Sequence, residues 1–270
     1  VQVCAMRVSK DMRHCHIIIV CVASLWSLSV ALPIDEVQDG KECEDYQIGD
    51  LLVWGDLQNG GNADAVQNEL YDIRTVGATT FAFAAIRSDG TVIAWGDTEK
   101  GGFIDADGLS GIAGGVSSVV GTMTAFAAVT LAGGVVAWGN DMAGGDVGTD
   151  AGNLASGVLE VVATDYAFAA LKDDGSVIAW GWAPGGGNTA DVASELYSIT
   201  DIVATHNAFA ALRSDGAVKA WGSDSVGGDT SGVVGLDNNV RTIYASRKAF
   251  VAHTYSNTVV AWGDSDWGGD

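Results

Sequence analysis

The chain has 270 residues, is 48% hydrophobic and contains 37 glycines but only two prolines, a composition typical of many tight turns between short strands. Its 34 acidic and 13 basic residues give a net charge of −21, which disfavours binding to nucleic-acid phosphates and to anionic membrane surfaces. Two interpretations of the charge remain, solubility and the attraction of cations or basic partners.

Residues 1–31 have the three-part pattern of a secretory signal peptide. Basic residues precede an apolar stretch from Ile17 to Leu32, and Ser29 and Ala31 are small residues suited to a cleavage site. An uncleaved signal anchor is the alternative, although the apolar stretch is shorter than the span of about 20 residues that a membrane helix needs. We therefore expect a secreted or extracellular location, with no stable membrane insertion once the signal is cleaved.

Residues 32–48 are polar and are predicted to form a linker. All four cysteines precede the repeats described below, and Cys43 alone would remain after cleavage. A single thiol in a secreted chain suggests pairing between molecules.

Residues 49–270 repeat with a period of about 41 residues. The string Trp-Gly, four variable residues, Gly-Gly occurs six times, beginning at Trp54, Trp95, Trp138, Trp180, Trp221 and Trp262. Five of these tryptophans follow a phenylalanine by 12 residues: Phe83, Phe126, Phe168, Phe209 and Phe250. Such repetition indicates a modular array in which each unit buries a face against the next.

One repeat shows the predicted elements in order. Strand a is predicted at Tyr71–Thr79, strand b at Ala82–Arg87 and strand c at Thr91–Gly96. Thr80-Phe81 forms a two-residue a–b loop, and the Asp-Gly turn at 88–90 joins strands b and c. We expect the alanines of strand b to lie near a crowded axis, and the Phe and Trp rings to fill the wider space between blades. No segment shows sustained helical periodicity.

These elements predict an all-β propeller with mostly three-stranded blades. Five to six blades are represented, and an incomplete ring is one of the alternatives. An open β-solenoid is the rival fold. The array begins with a single strand c at Asp50–Gly55 and ends just after another one at Asp270. We expect an a–b pair beyond that end to complete a sixth blade against the first strand, or a longer tail to make a seventh.

The segment from Ala208 to Gly222, with its Asp-Gly turn and Trp-Gly ending, resembles the repeats of the regulator-of-chromosome-condensation superfamily. The short period and the Val-Ile-Ala-Trp-Gly strands at 92–96 and 177–181 are similar to those of the secreted β-lactamase inhibitor propeller of that superfamily. The resemblance implies one blade per repeat and a function in binding other proteins. Because the superfamily's usual histidine and its Gly-Gln-Leu-Gly ending are not repeated here, nucleosome and GTPase functions are not implied.

We predict no catalytic residue, no metal site and no cofactor. The repeats contain two histidines, His206 and His253, and no Gly-x-Ser-x-Gly elbow. Calcium is the best metal candidate because acids such as Asp97 and Asp146 follow Trp-Gly and Gly-Gly, but neither known calcium-loop spacing is present. We interpret the aspartates of the Asp-Gly turns as turn residues.

The most variable positions are the a–b loops and the tetrapeptides after Trp-Gly. In an up-down-up meander these lie on one face, and the Asp-Gly turns lie on the other. Constant strands with varied loops are typical of a binding surface. We expect Phe81, Tyr166, Trp182 and Trp267 to be exposed aromatic anchors; neutral drift of the loops is the alternative explanation. The candidate binding residues are Thr80, Phe81, Met123, Asp165, Tyr166, Trp182, His206, Asn207, Arg247, Lys248 and Trp267.

The sequence therefore predicts a secreted or cell-surface scaffold that binds a protein or, as a second choice, a glycan. It predicts neither nucleic-acid binding nor enzymatic activity. An extracellular hydrolase and a structural repeat of a surface assembly are the alternatives.

Overall fold

The computed structural model describes residues 3–11, 14–23, 26–33, 51–54, 56 and 59–270. Its centre is a series of five three-stranded antiparallel sheets, each a meander in which strand a pairs with strand b and strand b with strand c. Their strands are β5 (Ile73–Ala78), β6 (Ala82–Arg87), β7 (Val92–Gly96); β8 (Val116–Gly121), β9 (Ala125–Thr130), β10 (Val135–Gly139); β11 (Val158–Ala163), β12 (Ala167–Lys172), β13 (Val177–Gly181); β14 (Ile199–Ala204), β15 (Ala208–Arg213), β16 (Val218–Gly222); and β17 (Val240–Ala245), β18 (Ala249–Thr254), β19 (Val259–Gly263). These sheets are called blades 1 to 5 below.

The strands of blade 1 differ slightly from their predicted bounds. Strand b is confirmed at Ala82–Arg87, but strand a begins at Ile73 because Asp72 adopts a left-handed backbone, with φ of 51°. Strand a also ends one residue early, since the hydroxyl of Thr79 accepts the N–H of Ala82 and makes Thr79 part of the loop. The a–b connection therefore has three residues rather than two.

A short helix, α1 (Ala106–Ile112), lies between blades 1 and 2. Its two turns are too short for a sustained apolar period, which is why the sequence did not reveal this helix. The carboxylate of Asp105 caps the helix by accepting the N–H of Gly108 at 2.8 Å. Within the described part of the chain, no helix has the length and apolarity required to cross a membrane.

Residues near the N-terminus form strands β1 (Val3–Asp11), β2 (His14–Ala23) and β3 (Trp26–Pro33). They make a four-stranded antiparallel sheet with β4 (Leu51–Trp54), in the order β3-β2-β1-β4. Strand β4 corresponds to the first predicted strand c. It was predicted to be a single strand, but in this structure it pairs with β1. A run of isoleucine and valine suits a β-strand as well as a signal core, which is why the sequence alone did not show the strands. Whether residues 1–31 are cleaved stays a prediction, and Cys43 with most of the predicted linker lies outside the described residues.

The hydrophobic core lies between successive blades. Ala82 and Ala84 of blade 1 form one cluster with Phe126 and Trp138 of blade 2, and all four side chains are almost completely buried. The rings of Phe126 and Trp138 are stacked with centroids 5.3 Å apart, and each of the other four blades has the same pair at 5.2–5.3 Å. The predicted role of Phe and Trp between blades is confirmed.

A second contact explains why Trp-Gly and Gly-Gly recur together. The indole N–H of Trp138 donates to the carbonyl of Gly101 in the preceding repeat at 3.0 Å. Gly101 has a φ of 101°, and a Cβ atom there would lie 2.6 Å from the Phe126 ring, so only glycine fits. The same indole bond forms in all five blades at 2.9–3.1 Å. The motif therefore joins each blade to the repeat before it.

Candidate functional site: the loop face

The candidate site is the set of a–b loops and post-Trp-Gly tetrapeptides of the five blades, named here the loop face. Its a–b dipeptides are 80–81, 123–124, 165–166, 206–207 and 247–248, and its tetrapeptides are 97–100, 140–143, 182–185, 223–226 and 264–267.

A buried hydroxyl residue positions the two kinds of loop against each other. In blade 3 the Thr164 hydroxyl accepts the N–H of Ala167 at 3.0 Å and donates to the carbonyl of Gly185 at 2.9 Å. Because Gly185 is the last residue of its tetrapeptide, this one side chain joins both loops. Thr79, Thr122 and Thr205 make the same two kinds of bond, whereas the equivalent Ser246 of blade 5 is exposed and bonds Ala249 of its own loop. Our sequence reasoning missed this position, although a Thr or Ser before every variable dipeptide was a usable signal.

Backbone bonds also hold the tetrapeptides beside the a–b loops. The N–H of Trp182 donates to the carbonyl of Tyr166 at 3.0 Å, and the N–H of Asp97 donates to that of Phe81 in the same way. Blades 2, 4 and 5 repeat the bond at 2.9–3.0 Å. The structure thus places both sets of loops on one face, as the meander topology predicts.

The first residues of the a–b dipeptides form a row that crosses the five blades. The N–H of Thr80 donates to the carbonyl of Met123 at 3.0 Å, and that of Met123 donates to Asp165 at 2.9 Å. The row continues from Asp165 to His206 at 2.8 Å and from His206 to Arg247 at 2.9 Å. Residues about 41 positions apart in sequence are therefore adjacent on this face.

The row brings three charged or titratable side chains together. Arg247 pairs with Asp165 through an Nη2–Oδ2 contact of 3.4 Å, and Nδ1 of His206 lies 2.8 Å from the backbone carbonyl of Arg247. Burial raises the pKa of the Asp165 carboxyl, and the nearby Arg247 and His206 oppose this shift. The sequence did not predict this cluster, because it depends on contact between three different repeats.

The aromatic candidates differ in exposure. Tyr166 and Trp182 are 37% and 39% exposed and meet edge to face, with ring centroids 5.6 Å apart. Trp267 is 50% exposed, and the ammonium of Lys248 lies 4.9 Å from its ring centroid. The expectation of an exposed Phe81 was wrong, since it is half-buried with an ammonium group above its ring.

The remaining candidates are less exposed or less connected. Met123, His206 and Asn207 are half-buried, and the side-chain oxygen of Asn207 is buried without a hydrogen-bond partner. Thr80 is exposed and is joined to the row through its backbone. Sequence reasoning did not select Met142, which is 75% exposed in the tetrapeptide of blade 2.

The Asp-Gly turns lie at the opposite ends of the strands and act as turn residues. Asp89 accepts the N–H of Thr91 at 2.8 Å, and Asp174 accepts both the N–H and the hydroxyl of Ser176, at 2.9 and 2.6 Å. These bonds lower the pKa of both carboxyls. Asp146 after Gly-Gly likewise accepts a backbone N–H two residues on. Among the described residues, no group of three or more His, Cys, Asp or Glu side chains is arranged to hold a metal.

A cleft of about 430 Å³ lies between the loops that follow strands c of blades 3 and 4. Asp191, Asp224 and Asp229 line it, and Lys219 pairs there with Glu195 at 2.5 Å. Asp229 follows Gly-Gly and so belonged to the acids considered for calcium; the other four residues were not sequence candidates.

Among the comparisons with known proteins, only the comparison of structures found matches. No family model and no curated protein matches the chain. The ectodomain of the Physcomitrella patens receptor kinase CR4 matches with 14% identity and a TM-score of 0.51, over 97% of this chain and 74% of that one.

Two further structures are similar at lower scores. Yeast RCC1 (Prp20), solved bound to Kap60, matches over 82% of this chain with 14% identity and a TM-score of 0.49. Human WBSCR16 matches over 71% of it with 16% identity and a TM-score of 0.48. The chain spans 60% and 61% of the length of those two proteins. Five three-stranded antiparallel sheets in series, together with the likeness to the CR4 ectodomain, show that the chain has an all-β fold of propeller-type repeats.

Proposed function

We propose that this chain is a secreted or cell-surface scaffold that binds another protein through the loop face and catalyses no reaction. The likeness to a receptor kinase ectodomain supports an extracellular location, as does the signal-like pattern of residues 1–31.

The observation that carries the proposal is a constant frame beneath variable side chains. The indole-to-carbonyl bond repeats in five blades within 0.2 Å. Over this frame the row changes from Thr80 to Met123, Asp165, His206 and Arg247. A rigid framework with variable loops presents a partner with a preorganised surface.

The environment of His206 supports binding without catalysis. Its Nδ1 atom is bonded to the backbone carbonyl of Arg247, whereas a triad histidine is held by a carboxylate and faces a nucleophile. Asp165, the nearest acidic candidate of the row, is paired with Arg247. The cluster therefore suits a charged patch of an interface better than a proton-transfer site.

The test is affinity capture of extracellular proteins on the immobilised full chain, followed by measurement of the dissociation constant of the captured protein. Tyr166→Ala or Trp182→Ala should weaken binding by about 2 kcal/mol or more, as truncation of an anchor residue does. Ser214→Ala, at the opposite ends of the strands, is the control and should bind like the wild type. Equal affinity for all three folded variants would contradict the proposal.

The location is tested separately. The full chain expressed in animal cells should appear in the medium, with an N-terminus at or near Leu32. Retention of the intact chain inside the cell would contradict secretion while leaving the binding surface untouched.

A further inference from the structure

We propose that Tyr166 and Trp182 form a docking site for one lysine or arginine side chain of a basic partner segment. The inference rests on the proposed function, because it names the chemistry that the loop face would recognise. It comes from comparing the same two positions in different blades.

Blades 1 and 5 each place a cation over an aromatic ring on this face. In blade 1 the Lys100 ammonium lies 3.8 Å from the centroid of the Phe81 ring. In blade 5 the Lys248 ammonium lies 4.9 Å from the centroid of Trp267. Phe81 and Lys248 are both second residues of an a–b dipeptide, and Lys100 and Trp267 both end a tetrapeptide. The same two loop positions thus make a cation–π contact in both blades, but the position that holds the cation in one blade holds the ring in the other.

Blade 3 keeps the aromatic residue but has no side chain at the cation's position. Tyr166 is equivalent to Phe81, and Gly185 is equivalent to Lys100. The backbone is held alike in both blades, because Thr79 bonds the carbonyl of Lys100 and Thr164 bonds that of Gly185. Within the part of the chain that the structure describes, no Lys or Arg lies over either ring of blade 3.

Blade 3 also has a second exposed ring beside Tyr166. Trp182 starts the same tetrapeptide and meets Tyr166 at an interplanar angle of 74°, so the two rings present differently oriented π-systems to solvent. Both remain more than one-third exposed. Each of these rings is able to attract a cation through its face.

Charge complementarity favours a basic occupant. Six acids and four bases lie in residues 1–44, so residues 45–270 carry 28 acids and 9 bases. Arg247, a cation of the adjoining row, is paired with Asp165. The net field of the domain therefore attracts a positively charged segment, and the open ring pair gives one of its cations a specific contact.

The test uses two end-blocked pentapeptides with glycines around a central residue, either arginine or its neutral analogue citrulline. Binding to the full chain is followed by the indole N–H resonance of Trp182, assigned by its loss in Trp182→Phe. We expect the arginine peptide to shift this resonance and to bind about three- to fivefold more tightly than the citrulline peptide, the range of an exposed cation–π contact. Equal affinities, or no shift at Trp182, would overturn the proposal.

A matched pair of variants tests the position of the cation. Gly185→Lys restores the arrangement of blade 1 and should weaken the arginine peptide about threefold or more relative to Gly185→Ala. Both variants add the same Cβ atom, which meets Cε3 of Trp182 at 3.1 Å, so their difference reports the lysine side chain. Equal weakening would contradict the inference. Tyr166→Leu removes one exposed ring and should weaken arginine binding even if the Gly185 variants do not fold.

The outcomes separate this inference from the proposed function. Partner affinity that depends on Tyr166 or Trp182, together with equal binding of the two peptides, would retain the interface and overturn the cation site. Arginine-selective binding at Trp182, together with partner affinity that no loop-face variant changes, would retain the cation site and overturn the interface.

Discussion

Trp180 and Trp182 are two residues apart in blade 3, yet they belong to different regions of the molecule. Trp180 is 4% exposed, stacks on Phe168 at 5.2 Å and donates its indole N–H to Gly144 of the preceding repeat. Trp182 is 39% exposed and contacts the edge of Tyr166, another loop residue. Trp180 belongs to the framework because the preceding repeat supplies a carbonyl for its indole N–H and its own blade supplies a phenylalanine for its ring.

The largest expected difference is between alanine substitutions of these two residues. Trp180→Ala should lower the free energy of unfolding by about 3–5 kcal/mol, because it leaves a cavity between blades. Trp182→Ala should stay within about 0.5 kcal/mol, as for an exposed side chain. Urea unfolding monitored by circular dichroism measures both. Trp180→Phe keeps a ring and loses the indole N–H, so an intermediate loss is expected; similar losses for Trp180→Ala and Trp182→Ala would remove the distinction.

The glycine that receives the indole bond gives the next test. Gly144 has a φ of 90°, and an added Cβ atom would lie 2.7 Å from the Phe168 ring. Gly144→Ala should therefore cost about 1–3 kcal/mol in unfolding free energy. Gly152→Ala is the matched control, since nothing lies within 4 Å of a Cβ atom at that exposed glycine, and it should stay within about 0.5 kcal/mol. A cost at Gly152 as large as that at Gly144 would contradict the proposed packing reason.

The hydroxyl that joins the two loops is expected to have a smaller effect. Thr164→Val removes the bonds to Ala167 and Gly185 while keeping the shape of the side chain, and should cost about 1–2 kcal/mol. Thr164→Ser keeps the hydroxyl and should cost less than Thr164→Val. If the serine variant were the less stable of the two, the methyl group rather than the hydroxyl would hold the loops.

Two aspartates on opposite ends of the strands should respond to pH in opposite directions. Hydrogen bonds from Ser176 lower the pKa of Asp174 below 3.8, so its stabilising contribution is present above pH 3.8 and is lost as the pH falls through the lowered value. Burial raises the pKa of Asp165 above 3.8 despite Arg247 and His206. Its contribution is therefore present below pH 3.8 and is lost as the pH rises through the raised value.

Asparagine variants isolate these two contributions. Unfolding free energies of the wild type, Asp174→Asn and Asp165→Asn are compared between about pH 3 and about pH 7. The advantage of the wild type over Asp174→Asn should decrease toward acid, whereas its advantage over Asp165→Asn should decrease as the pH rises above 3.8. The same slope for both variants would contradict the assigned environments.

Much of the framework of strands, turns and core residues could be predicted from the sequence. The spacing of Phe168 and Trp180 recurs in five repeats because those residues pair directly across strands b and c, where Phe168 is the register partner of Trp180. Strand b was predicted to the residue at Ala82–Arg87. Local turn chemistry also set the Asp-Gly turns, as at Asp174.

The candidate site was predicted less completely. Meander topology correctly placed the variable loops on one face, but the partners of individual side chains required the tertiary structure. Phe81 was expected to be exposed, yet it lies beneath Lys100 of the neighbouring loop. The pairing of Asp165 with Arg247 links residues 82 positions apart, a contact that no local pattern encodes. Whether any of these residues binds a partner stays a prediction.

The sequence by itself determined the repeat, the strand order within a blade and the residues of the core, because those features follow from alternation, turn chemistry and a period of about 41 residues. The tertiary structure decided which loop residues meet. Side chains such as Asp165, His206 and Arg247 become neighbours because backbone bonds align equivalent loops of successive blades. The tertiary structure also decided that Trp180 is buried and Trp182 is exposed, because burial depends on which residues of the adjacent blade pack against each ring.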